Sequence, residues 1–310
     1  MPHKKESIIG HWGSLDVLKK EFRRLDDPEA ERQEKAVHRI RVISRHLQVQ
    51  TQLLAEMAGR KRKSRDLRKD LKALRRLLGK VREADVHRKL WGEIAAGHPY
   101  FLNVDRTIEN RREKAFQRFQ NKWNRKRLNK IVSKARRALE GFGERSGTVS
   151  PRRAISSRMT AIARMPMAPA EDDLESIHSL RLQVKKLRYL LEALETMNAL
   201  HHFRSARPLS LLKELQGELG SIHDCETIIE FLEKTIRKSR DVWDPRTQAG
   251  VEKACEELKQ KLHTAAAQWH RRWPERRKAL ASFTSHSESC VVGSGLAAIR
   301  PHHQKRKVNR

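Results

Sequence analysis

The chain has 310 residues, with 68 Lys and Arg against 38 Asp and Glu, a formal net charge of +30. Such an excess repels itself in a compact fold and is relieved by a polyanion, so nucleic acid, polyphosphate and anionic surfaces are the candidate partners. Three cysteines, Cys225, Cys255 and Cys290, have neither paired nor metal-like spacing. That excludes a disulfide framework and a zinc finger and fits a reducing cytoplasm. No apolar run suited to a signal peptide occurs in residues 1–10, and no stretch is apolar enough to suggest a transmembrane helix.

Apolar residues recur every three to four positions almost throughout, and strand-like alternation is absent, so the spacing predicts an all-α chain. In chain order the expected helices are 12–26, 29–57, 62–78, 82–96 and 103–142, then 151–164, 172–197, 206–219, 223–240 and 246–283. Asp27-Pro28, Ser150-Pro151 and Asp244-Pro245 each put a capping side chain before a proline suited to the first helical position. Glu171, Asp172 and Asp173 give another start its negative charge. Pro274 is expected to kink or end the last helix. Gly141-Phe142-Gly143 and Ser146-Gly147 mark a boundary between two sets, and residues 284–310 read as a disordered basic tail.

The two sets repeat one another. Val37-His38-Arg39-Ile40-Arg41 through Arg45 and Ile177-His178-Ser179-Leu180-Arg181 through Lys185 are both His-x-x-basic-x-x-x-basic. Lys72-Ala73-Leu74 leading to Leu78-Gly79 matches Lys213-Glu214-Leu215 leading to Leu219-Gly220, and the His-to-Gly gaps are 41 and 42 residues. Internal duplication implies two similar units, repeat one over 11–145 and repeat two over 146–283, related by a pseudo-two-fold axis. Each is expected to be an antiparallel four-helix bundle.

Offsets of 0, 3, 7 and 10 put His178, Arg181, Lys185 and Arg188 on one helical face. Like charges one turn apart weaken an isolated helix, so the row is favourable where closely spaced anions run along it. Arg binds phosphate oxygens in two-pronged fashion and Lys serves as a point charge. A solvated face with carboxylate partners such as Glu192 and Glu195 would also explain one row; two rows in register with a duplication favour a ligand. His38 and His178 stand beside cations and lack a second ligand at i+4, which suits phosphate or a structural hydrogen bond rather than a metal. Affinity is then expected to rise as pH falls towards about 6.

Competing chemistry is thinner. His223-Asp224 resembles the dyad of metal-dependent phosphohydrolases, with His201 and His202 as loose partners, but Arg82-Glu83 occupies the sister position. Two further basic stripes run through Arg111, Lys114, Arg118, Lys122 and Arg125 and through Arg65, Arg68 or Lys69, Lys72 and Arg75 or Arg76, the latter opposite Leu67, Leu71, Leu74 and Leu78, either lining a groove or solvated. The six tryptophans are scattered on amphipathic helices and form no base-stacking platform.

Taken in order, the His38-x-x-Arg41-x-x-x-Arg45, Leu78-Gly79-x-x-Arg82-x-x-Asp85-Val86, His178-x-x-Arg181-x-x-x-Lys185-Lys186-Leu187-Arg188-Tyr189-x-x-Glu192 and Leu215-Gln216-x-x-Leu219-Gly220-x-x-His223-Asp224 motifs resemble the CHAD domain family, the conserved-histidine α-helical domain, over roughly 11–283. The resemblance implies two four-helix bundles about a pseudo-two-fold axis, a basic central cavity, and binding of inorganic polyphosphate, with an association with polyphosphate granules. A non-enzymatic binding protein with no cofactor and no metal is the expected reading, with a metal-dependent phosphohydrolase using His223 and Asp224 as the lesser alternative. The resemblance also implies that His38, Arg41, Arg45, His178, Arg181, Lys185 and Arg188 face the cavity, with Lys72, Arg82 and Lys213 added by position in the same motifs. His223 in the slot matching Arg82, and His46 in the slot matching Lys186, depart from the pattern. Some family members fuse the domain to a CYTH triphosphate-tunnel enzyme, for which residues 1–10 and 284–310 leave no room. Nucleic acid remains the competing partner.

Overall fold

A computed structural model describes residues 15–57, 64–95, 102–143, 161–162, 174–196, 206–239 and 242–289. Among them there is no strand. The first half holds α1 (15–23), a 3-10 turn at Arg24–Asp26, α2 (Ala30–Met57), α3 (Arg65–Ala95), α4 (Leu102–Lys122) and α5 (Arg125–Gly143). The second holds α6 (Leu174–Thr196), α7 (Ala206–Ser239) and α8 (Pro245–Ser289). None of the described helices is long and apolar enough to cross a membrane.

The apolar period places the helices. Along α3, Leu67, Leu71, Leu74, Leu78 and Val81 are all buried, one stripe at alternating spacings of four and three. Along α6, Ile177, Leu180, Val184, Leu187 and Leu191 do the same. Consecutive helices pack on one another: α2 on α3, α3 on α4, α6 on α7 and α7 on α8. The halves meet where α2 packs on α6 and α3 on α7.

Three cores result. One lies within the first half, around Leu18, Ile40, Leu71, Leu74, Phe119 and Ile131. A second lies mainly in the second half, around Leu187, Leu212, Leu215, Trp269 and Trp273, and takes in Leu53 from α2. The third is shared, joining Trp91, Val104 and Ile108 to Ile228, Phe231, Leu232, Val251 and Leu258. Beside it His87 Nε2 lies 3.2 Å from Thr227 Oγ1, a polar tie between α3 and α7. The two halves thus bury apolar surface together, and their relative placement is fixed by packing as well as by helix contacts.

Four boundaries differ from the sequence expectation. The stretches expected as 62–78 and 82–96 form one helix, α3, and 206–219 and 223–240 form one helix, α7. A mid-helix glycine costs about 1 kcal/mol, which buried apolar side chains on both sides outweigh, Leu78 and Val81 at Gly79 and Leu219 and Ile222 at Gly220. The single helix expected at 103–142 instead breaks at Trp123-Asn124. Asn124 accepts a 2.9 Å hydrogen bond from the Arg127 amide, an N-cap for α5, and Arg127 caps the end of α4 through the Lys122 carbonyl at 3.0 Å. Finally, Pro274 sits inside α8, which runs on to Ser289, so 284–289, the start of the stretch read as a tail, are helical. No glycine follows until Gly293, and a helix already formed adds residues at little cost. Residues 290–310 lie outside the described residues, as do Ser150-Pro151, Glu171 to Asp173, Ser146-Gly147, His201 and His202. Asp244 caps α8 as expected, accepting from the Arg246 and Thr247 amides at 3.0 Å each.

Candidate anion-binding site

The crossing of α2 and α6, flanked by α3 and α7, brings cations of both halves together. Lys185 on α6 interacts electrostatically with Arg45 and Arg41 on α2 and with Arg181 and Arg188 on its own helix. Burial and these four positive neighbours pull its pKa down to about 7. Arg41 and Arg75 are pulled to about 10, first by desolvation and then by neighbouring guanidinium groups. Arg45 and Arg181 shift the same way, with burial the main cause. The two rows expected from the repeat therefore converge on one half-buried cluster.

Backbone and ring contacts hold these like charges in place. Arg41 donates from Nη1 to the Arg75 carbonyl at 2.7 Å, and Arg75 donates from Nη1 to the Ser44 carbonyl at 3.0 Å and from Nη2 to the Gln48 side chain. Tyr189 is buried between two guanidinium groups, with Arg45 Cζ 5.2 Å and Arg188 Cζ 4.8 Å from its ring centre. Each such pairing contributes up to about 2 kcal/mol where water is excluded. His46 meets the Tyr189 ring edge-on at 5.0 Å. Its Nε2 lies 3.3 Å from a Glu192 oxygen, and desolvation with Arg188 and Arg45 lowers its pKa to about 4. Arg188 Nε lies 3.5 Å from the other Glu192 oxygen.

At the opposite side, Arg82 pairs with Glu34 at 2.6 Å, and Arg88 reaches the same carboxylate at 3.0 Å. His38 is exposed, and its pKa is lowered by desolvation and by Arg82, Arg41 and Lys185. The His178 and His223 rings are 5.0 Å apart, and His223 Nδ1 lies 3.2 Å from Glu226. Asp224 is raised by burial, against the pull of Arg181, His223, Arg82 and Lys185. Among the described residues, no group of three His, Cys, Asp or Glu side chains is placed to hold a metal ion.

Of the ten residues expected at the site, Arg41, Arg45, Arg181, Lys185 and Arg188 form the cluster, and His38, Arg82 and His178 line its edge. Lys72 and Lys213 are exposed. Lys213 reaches the cluster through its attraction for Glu192, whereas Lys72 takes part in none of the pairings that build it. Arg75 and Tyr189 are the additions. Arg75 stood in the sequence as one of several charges opposite the α3 leucines, and Tyr189 as a motif letter without a role.

Gly79 has a local reason to be glycine. A Cβ there would lie 2.8 Å from Arg41 Nη1, which the Arg75 carbonyl already holds, whereas nothing lies within 4 Å of a Cβ at Gly220. Gly220→Ala is therefore expected to stabilise the protein by about 0.5–1 kcal/mol without changing anion affinity. Gly79→Ala is expected to displace the Arg41 guanidinium and weaken anion binding several-fold. Thermal melts with an anion titration on each variant check both.

Among known proteins, a solved structure described as the crystal structure of the CHAD domain from the plant Ricinus communis is similar across 91% of this chain and 91% of its own, with a TM-score of 0.59 at 20% identity. That likeness shows a shared helical fold. No curated protein matches. The CHAD domain family model matches residues 16–233, more than half of the chain and all four motifs around the cluster, and the chain belongs to the CHAD domain family.

Proposed function

We propose that this protein binds inorganic polyphosphate in the cationic cluster, without catalysing its turnover. The observation that carries the reading is Lys185, a half-buried lysine whose main electrostatic neighbours, Arg41, Arg45, Arg181 and Arg188, are all cations. A fold gains nothing from burying like charges together, since each is desolvated and repelled at once. A linear chain of closely spaced phosphates reverses both costs, through two-pronged bonds to arginine and charge neutralisation at lysine. Cations from both halves then act as one site. The reading places the protein in the cytoplasm and, through its ligand, at polyphosphate granules. It needs no cofactor.

Nucleic acid is the competitor, since net charge alone attracts either polyanion. Its anions are more widely spaced along the strand, and its bases find no open aromatic platform at the cluster, where the Tyr189 ring is buried between arginines. In a competition titration at physiological salt, RNA or DNA at equal phosphate concentration is expected to leave bound polyphosphate in place. Displacement at equal concentration would overturn the reading. So would phosphate release from polyphosphate that a divalent metal supports and Asp224→Ala abolishes.

A further inference from the structure

The cations of the cluster are not equally free. Those at either edge already have carboxylates. Arg82 and Arg88 share Glu34 at 2.6 and 3.0 Å on one side. On the other, Glu192 lies 3.5 Å from Arg188 and 3.3 Å from His46. Between them Arg41, Arg45, Arg75 and Lys185 meet carbonyls, an amide oxygen, a ring and one another, and none of the four forms a direct ion pair with a carboxylate among the described residues; Glu83 and Asp224 attract Arg41 and Lys185 only at longer range. Glu34 and His46 both lie on α2, about 18 Å apart along its axis at about 1.5 Å per residue. Asp224, within electrostatic reach of Arg181 and Arg82, adds negative charge at the Glu34 side.

A polyanion following this surface meets attraction in the middle and repulsion at both ends. Carboxylates facing a phosphate chain cost affinity through like-charge repulsion, and each also neutralises the cation it holds. We propose that Glu34 and Glu192 bound the site, so that it accepts a short run of phosphates, about as many charges as the four central cations, and excludes the continuation of a longer chain from close approach. The two acids are specificity-determining residues. This rests on the polyphosphate reading and deepens it from a polymer to a footprint.

The test is a calorimetric length series with linear tri- and tetraphosphate and longer chains of defined length, at fixed salt, on the intact protein. Affinity per chain is expected to rise steeply up to about four phosphates and then only in proportion to the number of overlapping registers a longer chain offers. In folded Glu34→Gln and Glu192→Gln variants the steep part is expected to extend to longer chains, with severalfold tighter binding of those chains only. A steep rise that continues with length in the unaltered protein overturns the footprint while leaving polyphosphate binding standing. A plateau unmoved in both variants overturns the role of the two carboxylates. Absence of binding at every length overturns the underlying reading as well.

Discussion

The double variant Arg41→Ala/Arg45→Ala is expected to lose about 3–6 kcal/mol of polyphosphate affinity while the protein stays folded. Both arginines belong to the first half, and both lie within electrostatic reach of Lys185 in the second. A hydrogen bond to a charged group contributes about 1.5–3 kcal/mol, and each guanidinium has donors to spare beyond those already used. Arg41 uses one on the Arg75 carbonyl and Arg45 faces the Tyr189 ring. The stability cost of the substitution is small for a physical reason. The two groups repel each other and Lys185, so their removal relieves that repulsion while giving up one 2.7 Å hydrogen bond and one cation–ring pairing. Two measurements separate this from a general loss of positive charge. The slope of log affinity against log salt is expected to fall by about two, one for each phosphate that is no longer neutralised. Lys72→Ala, which removes an exposed charge on α3, is expected to change affinity by only tenths of a kcal/mol. If Lys72→Ala and the double variant weaken binding per charge equally, the ligand reads net charge and not the cluster.

How far this site was legible in the sequence depends on what kind of pattern carried each residue. Arg41, Arg45, Arg181, Lys185 and Arg188 were visible because a helix converts offsets of three and four into a single face. The duplication then brought two such faces into one argument. Arg75 was hidden because its side chain belongs to the site only through a crossing with α2. On its own helix it looks like any charge opposite a leucine stripe, as Lys72 does. Tyr189 was hidden because an aromatic beside leucines reads as core, and it is indeed buried; its partner Arg45 comes from α2. The fold was legible in class and in its interior, and misread where glycine was taken as punctuation. Gly79 and Gly220 lie in continuous helices because packing on both sides outweighs the local preference, and Gly79 leaves room for Arg41. The break at Asn124 shows the converse, since one capping side chain and one arginine end a stripe that periodicity alone would continue. The shared core around Trp91 and Phe231 had no sequence signal, because each half shows only its own apolar face.

Lys185 offers the sharpest test, because stability and binding should move in opposite directions. Its pKa in the free protein lies near 7, against an ordinary value of 10.5. Between about pH 7 and 10.5 the unfolded chain therefore binds more protons at this residue than the folded one, and stability rises with pH across that window. Below it the full cost of a buried, repelled ammonium is present. Lys185→Met keeps the apolar stem and removes the charge. It is expected to stabilise the free protein by about 2 kcal/mol at pH 7, with the gain shrinking towards pH 10.5, in thermal melts taken across that range. A bound phosphate chain reverses the sign of the field at Lys185 and restores the proton. Binding is then coupled to proton uptake, and affinity should fall as pH rises from about 7.5 to 9. Calorimetry in buffers of different ionisation enthalpy should read an uptake of up to about one proton at pH 8 in the unaltered protein and close to none in Lys185→Met. Affinity should drop about tenfold or more in the variant at pH 7, as removal of one charge-assisted bond requires. A variant that is more stable and binds as tightly would mean that the ligand lies elsewhere. One that is less stable would mean that Lys185 is held by a partner of opposite charge. Only greater stability together with weaker, proton-independent binding fits a lysine kept buried among arginines for the sake of an anion.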